Sequence, residues 1–324
     1  MGSMVAREPP HAFAAGPQGA GGEGNPFDLD DARAYRRWRE RKLDLRARCV
    51  DDLLVPLADA HALAPHERQA LLERIARTNM ALYRVAASAE DPSLPRALGA
   101  QLGLERLDAN WLADEDGISH IAVSAHREPG LPGGGHAEFI PYTERAIHWH
   151  TDGYYHPEGR RILGMILHCV RPARAGGESG LLDHELAYIA LRDAEPAAVR
   201  ALMRPDAMTI PERRDAAGVA RAAQSGPVFT PAAADALHMR YTARTRSIAW
   251  HDDAATRAAA ALLARVLAGA DAACAPWILR LRLQAGMGLV CHNVLHERSA
   301  FADDPAAPRL LYRARFLDRV AAAG

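Results

Sequence analysis

The sequence predicts an α+β protein built on a double-stranded β-helix, or jelly roll, with flanking and inserted helices. After Gly117, short apolar runs punctuated by Gly and Pro replace the helical periodicity of the first third, at 118–124, 146–150, 162–170, 180–182, 278–283, 288–293 and 310–316. Runs joined by turns rather than by regularly alternating helices favour an antiparallel double sheet over a parallel βαβ arrangement. Two helix-period stretches, 184–193 and 253–267, interrupt these runs and read as helices inserted into or packed on the barrel.

The opening MGSM reads as an expression scar. Residues 1–26 are rich in Gly, Pro and Ala without periodicity, so they form an arm that cannot bury enough apolar surface to order itself. Residues 27–117 read as a helical region packed on the core, with one helix from Asp30 to about Asp59. A second is opened by Pro65-His66-Glu67 and runs through Tyr83 to Ala87, and a short third is punctuated by Pro92 and Pro95. Residues 118–324 form the barrel, giving one catalytic domain overall, with GLPGGG at 130–135 as a flexible loop and no internal repeat.

Composition narrows the class of partner. Of 324 residues, 49% are hydrophobic and 24% charged, and Lys+Arg 39 against Asp+Glu 40 leaves a formal net charge of -1. That balance supports a sizeable core and provides no long-range field for nucleic acid or an anionic membrane. A small-molecule substrate is expected, and a homo-oligomer stays open. Cys49, Cys169, Cys274 and Cys291 are scattered without a CxxC pair, as in reduced thiols. With no secretory signal and no run of about 20 apolar residues, a cytoplasmic location is expected.

The candidate metal ligands come from spacing. Two histidines and one carboxylate leave open positions on an iron that must meet both O2 and substrate. An H-x-D unit at a strand end supplies two of the three, because residues two apart on a strand share a face. His150 and Asp152 in HWHTDGYY form such a unit, and so do His251 and Asp253 in AWHDDAATRAAA. In the second, the aspartates Asp252 and Asp253 stand where a helix begins and are read as its cap and first-turn acids.

Context separates the two. The segment IPYTERAIHWHTDGYYHP resembles the region leading into the metal motif of the taurine dioxygenase (TauD/TfdA) family, here Trp149, His150, Thr151 and Asp152. Downstream, CHNVLHERSAF resembles the same family's distal motif, with His292 standing where an aspartate is common. The resemblance covers about 118–317. It implies an Fe(II)- and 2-oxoglutarate-dependent dioxygenase, with His150, Asp152 and His296 as metal and catalytic residues and Asn293, Arg298 and Phe301 around them. Iron, 2-oxoglutarate and O2 are then the expected cofactor and co-substrates, with succinate and CO2 released. The carboxylate at Asp152 favours hydroxylation or a similar oxidation over halogenation.

A bound 2-oxoglutarate leaves a remote carboxylate that needs a buried cation, and arginine donates two parallel hydrogen bonds while staying charged. Alternation in PRLLYRARF puts Arg309, Arg313 and Arg315 on one face. The resemblance implies Arg309 as the clamp, with Arg313 facing the substrate acid or assisting the co-substrate. It also implies Ser179, in GGESGLLD, as a hydroxyl partner of the co-substrate. Tyr142, His148, Tyr154 and Tyr155 are candidate substrate contacts, followed by Arg240 and Arg246.

Two other readings compete. HWHTD also satisfies H-x-H-x-D, so His148, His150 and Asp152 could share two zinc ions as in metallo-β-lactamase-type hydrolases, although Gly153 stands where those have histidine. A jelly-roll protein that binds metal or keto acid without turnover would use the same ligands.

Overall fold

The computed structural model describes residues 24–86, 90–108, 117–123, 139–215, 218–232 and 236–321. Most of the expected N-terminal arm and the 130–135 loop lie outside them.

Among the described residues, ten strands form the two largest sheets. In chain order they are β1 (Leu54–Leu57), β2 (Met80–Val85), β3 (Ser119–Ile121), β4 (Ile147–His150), β5 (Gly164–Arg171), β6 (Ser179–Leu182), β7 (Leu279–Leu281), β8 (Met287–Cys291), β9 (Leu295–Arg298) and β10 (Leu310–Phe316). The larger sheet runs β1-β2-β8-β5-β10-β3 and the smaller β7-β6-β9-β4. Every neighbouring pair is antiparallel except β1 with β2. The helices are α1 (Ala32–Leu45), α2 (Pro65–Thr78), α3 (Leu94–Ala100), α4 (His184–Ala194), α5 (Pro196–Leu202) and α6 (Ala254–Leu267).

Period-two patterning decides which face goes where. Met80 and Leu82 of β2 join Met165, Leu289 and Leu311 of the larger sheet and Leu181 and Leu281 of the smaller one in a shared cluster between the sheets. Ala81, Tyr83 and Val85 point the other way, onto Leu71 and Ile75 of α2 and Leu98 of α3. Each buried leucine of this kind contributes about 1.5–3 kcal/mol. Gly288, opposite Tyr83 in register, leaves room for that ring, since a Cβ there would overlap it. The outer face of the smaller sheet puts Trp149, Leu182 and Leu295 against Trp38 of α1, Tyr188 of α4 and Leu263 of α6.

The N-terminal third differs from its sequence reading. α1 stops at Leu45 rather than near Asp59, and a 3-10 turn at Val50–Leu53 leads into β1. α2 stops at Thr78 rather than Ala87: Asn79 turns left-handed at φ 59 and its N–H caps Ile75 O at 2.8 Å, after which the chain enters the sheet as β2. This stretch therefore supplies strands to the core as well as helices around it. The arm also ends sooner than Pro26, because Arg192 donates to Pro26 O at 2.7 Å and Phe27 is buried among Trp38 and Tyr188.

Residues 208–250, left unassigned by the sequence, hold short strands: Gln224–Gly226 and Ala249–Trp250 flank Met208–Ile210, and Phe229–Pro231 pairs with Leu237–Met239. All four cysteines are free thiols. No helix among the described residues is long and apolar enough to cross a membrane.

Candidate metal centre

β4 and β9 lie side by side in the smaller sheet, and their register sets His150 opposite His296. The two rings stand 4.1 Å apart between centroids. Each ring is fixed by its own strand: His150 Nδ1 donates to His148 O at 2.9 Å, and His296 Nδ1 donates to Val294 O at 2.9 Å. These bonds select one tautomer and leave both Nε2 lone pairs for a metal.

Asp152 arrives differently from the sequence argument. β4 ends at His150, so shared strand face does not bring Asp152 to the histidines; the following turn does. Thr151 N donates to Tyr241 O at 3.0 Å, Asn293 grips the Asp152 backbone, and Gly153 takes φ 67, which favours glycine. One ligand atom from each of His150, Asp152 and His296 lies within 4.8 Å of the others.

The electrostatics suit a cation. Asp152 Oδ1 accepts from Arg313 Nη1 at 3.3 Å, while Oδ2 is buried without a hydrogen bond. Burial raises the Asp152 pKa, but Arg313 and then Arg315 outweigh it and hold the carboxyl well below its usual range. Burial, and then His296, push the His150 pKa down to about 3, and burial likewise lowers that of His296. Two neutral imidazoles and one ionised carboxylate, whose Oδ2 also lies 3.3 Å from Arg313 Nη1, fit a divalent transition ion.

Beside the triad, between the sheets, lies a cavity lined by His150, His296, Ser179, Arg309 and Arg313 with many leucines. Arg309, Leu311 and Arg313 face it while Leu310, Tyr312 and Ala314 pack on the opposite side, the alternation expected of β10. Arg309 is buried, with Phe301 5.1 Å from its guanidinium, and burial lowers its pKa to about 10. Among the described residues its guanidinium has no ion-pair partner. Arg313 is instead held by Asp152, and Arg315 by Asp108 at 2.7 Å and Tyr155 at 3.0 Å.

The remaining candidates separate. His148 is exposed and outside the ligand group, so the dinuclear-zinc arrangement has no second histidine at this point. Tyr142 is buried in the cluster between the sheets, Arg246 is exposed, and Tyr154 and Arg240 line a second cavity against the metal turn. Asp253 caps α6 by accepting from Thr256 N at 2.6 Å, the bland role expected of it. His292, at the motif's usual aspartate, joins Asn79 at 3.0 Å and Arg319 at 2.8 Å. Arg298 donates to the carbonyls of Pro141, Thr143 and Arg145 and so ties the segment before β4 to β9.

Sequence reasoning missed Asp108. This buried carboxylate binds both Arg160, at 2.6 Å, and Arg315, and it comes from a segment without a motif.

The chain is similar to known proteins in sequence and in fold. A uridine-5'-phosphate dioxygenase from a Streptomyces species is 37% identical over 186 residues, covering 56% of this chain and 65% of that protein. One from an Amycolatopsis species is 32% identical over 174 residues, covering 52% and 60%. The matched stretch thus spans less than two thirds of either relative. An asparagine oxygenase, solved with Fe(II), hydroxyasparagine and succinate, superposes with a TM-score of 0.54 over 91% of this chain and 86% of that one, at 17% identity, which speaks to the fold. The family model for taurine catabolism dioxygenases matches residues 113–315, well over half the chain, and the protein belongs to the TauD/TfdA family.

Proposed function

We propose that the chain is an Fe(II)- and 2-oxoglutarate-dependent dioxygenase that oxidises a C–H bond of a small anionic molecule. The observation that carries this reading is the group of two histidines and one carboxylate beside a cavity lined by both histidines and by the buried Arg309. His150, Asp152 and His296 would hold the iron. When bound, that iron supplies O2 activation coupled to the oxidative decarboxylation of 2-oxoglutarate to succinate and CO2.

The chain's own residues do the positioning. Arg309 pairs with the remote carboxylate of 2-oxoglutarate, because a desolvated guanidinium without an ion-pair partner gains most from a bidentate acid. Ser179, on the same wall, offers that carboxylate a hydroxyl donor. Arg313 keeps Asp152 ionised and oriented, and the leucine lining excludes water from the reacting atoms. We read the two facing sheets as the double-stranded β-helix that presents this constellation. The two curated relatives support a nucleoside 5'-phosphate as the substrate class.

The test is succinate formation from 2-oxoglutarate with uridine 5'-phosphate present and absent. Substrate-stimulated succinate in the intact chain, lost in Asp152→Ala, supports the reading. Undiminished turnover in Asp152→Ala removes it.

A further inference from the structure

The second cavity lies against the metal turn, with Thr151, Asp152 and Gly153 in its wall. Arg161, His238 and Arg240 converge on it. Of its two carboxylates, Asp152 is held by Arg313, and Glu158, 70% exposed, pairs with Arg161 at 2.5 Å, so neither is an ion-pair partner of Arg240. His238 is buried, and the charges acting on it are Arg161, His184, Arg319 and Arg240, with no acid among them. Arg240 is anchored through Nη2 to Met208 O at 2.6 Å and to Gln224 O at 3.3 Å, which fixes its plane, and its Nε is buried without a hydrogen bond. Gly226 lies directly against this guanidinium, where a Cβ would come within 3.1 Å of Nη1.

Arg161 and Arg240, gathered at a partly desolvated cavity, repel one another, and a chain retains such an arrangement at a cost that a bound dianion reduces. Phosphate fits the chemistry, with acceptor oxygens for the arginine N–H groups and for His238. Tyr154 and Thr230 add hydroxyls to the lining.

We propose that Arg161, His238 and Arg240 form an oxoanion site for a phosphate monoester, next to the metal turn. It rests on the oxygenase reading only for what carries the phosphate, which there is the substrate itself.

The experiment is calorimetric titration of the full chain, before metal loading, with inorganic phosphate, uridine 5'-phosphate and uridine. The expected result is saturable binding of phosphate that weakens at least about tenfold in both Arg161→Gln and His238→Gln, with far-UV circular dichroism unchanged. Arg161 stands at the rim, so its variant keeps the test interpretable if the buried His238 variant fails to fold. Competition between uridine 5'-phosphate and phosphate, with uridine inert, supports a substrate-borne phosphate. Phosphate binding without such competition supports the site with a free anion as its ligand. Phosphate affinity unaltered in Arg161→Gln, or absent in the intact chain, overturns the proposal. Because no turnover is involved, loss of the oxygenase reading would leave this result standing, and the reverse also holds.

Discussion

Asn293 holds Asp152 by both of its backbone polar groups: Oδ1 accepts from Asp152 N at 2.7 Å, and Nδ2 donates to Asp152 O at 2.9 Å and also to Ile162 O at 2.8 Å. Asn293 itself sits at φ 53, a left-handed conformation that asparagine tolerates better than most residues. One amide thus clamps the turn that delivers the carboxylate ligand. Asn293→Ala is expected to weaken ferrous-ion binding by about 10–100-fold, the usual effect of losing a residue that orients a ligand. Asn293→Gly would relieve the backbone but not restore the clamp, so it should bind metal no better. Anaerobic metal titration of both variants measures this.

The Arg309 guanidinium has no ion-pair partner among the described residues, Asp303 acting on it only from further off, and 2-oxoglutarate would provide one. Arg309→Ala should raise the 2-oxoglutarate KM by roughly 30-fold or more, corresponding to about 2–5 kcal/mol for removing one member of a buried charge pair. Arg309→Lys should recover part of it. Steady-state kinetics in 2-oxoglutarate decides, and an unchanged KM would move the clamp to another residue.

Lys42 of α1 reaches across to the start of α4, where it pairs with Asp183 at 2.7 Å and Glu185 at 2.5 Å, all three buried. Burial raises the Glu185 pKa, but Lys42 outweighs it and lowers it below the model-peptide 4.5. That stabilisation is complete above the unfolded value and is lost as pH falls through the folded one. Burial lowers the Lys42 pKa, but Asp183 and Glu185 outweigh it and raise it above 10.5, so its stabilisation holds below 10.5 and fades as pH climbs through the folded value. Lys42→Met should cost about 3–5 kcal/mol near neutrality, and the loss should shrink as pH falls below 4.5. Denaturant melts across that range check it.

Gly288→Ala should destabilise the fold through the Tyr83 ring, which also meets His168 Nδ1 at 3.1 Å. Overpacking of this kind costs about 1–3 kcal/mol. Combining it with Tyr83→Phe should not relieve the loss, since the clash involves ring carbons as well as the hydroxyl. Thermal denaturation of the single and double variants reads this directly.

What the sequence disclosed follows from how local its signals are. β10 is read with its observed ends because Pro308 stands just before it and arginines alternate with apolar residues over its second half. His150 and Asp152 stand out by their short spacing and His296 by the resemblance of its surrounding motif, and the route of Asp152, through a turn clamped by Asn293, was not legible. β1 and β2 were read as helix: each is a brief apolar run continuing an amphipathic stretch, and what makes them strands is pairing with each other and, for β2, with β8, over 200 residues away in sequence. Asp108 carries no motif, and its partners Arg160 and Arg315 meet it only in the fold.

Anaerobic titration with ferrous iron tests the central claim most directly. The intact chain should take up one iron per molecule, and His296→Ala should lose it while remaining folded by circular dichroism. If His296→Ala binds iron as tightly as the intact chain, the three-residue centre is wrong.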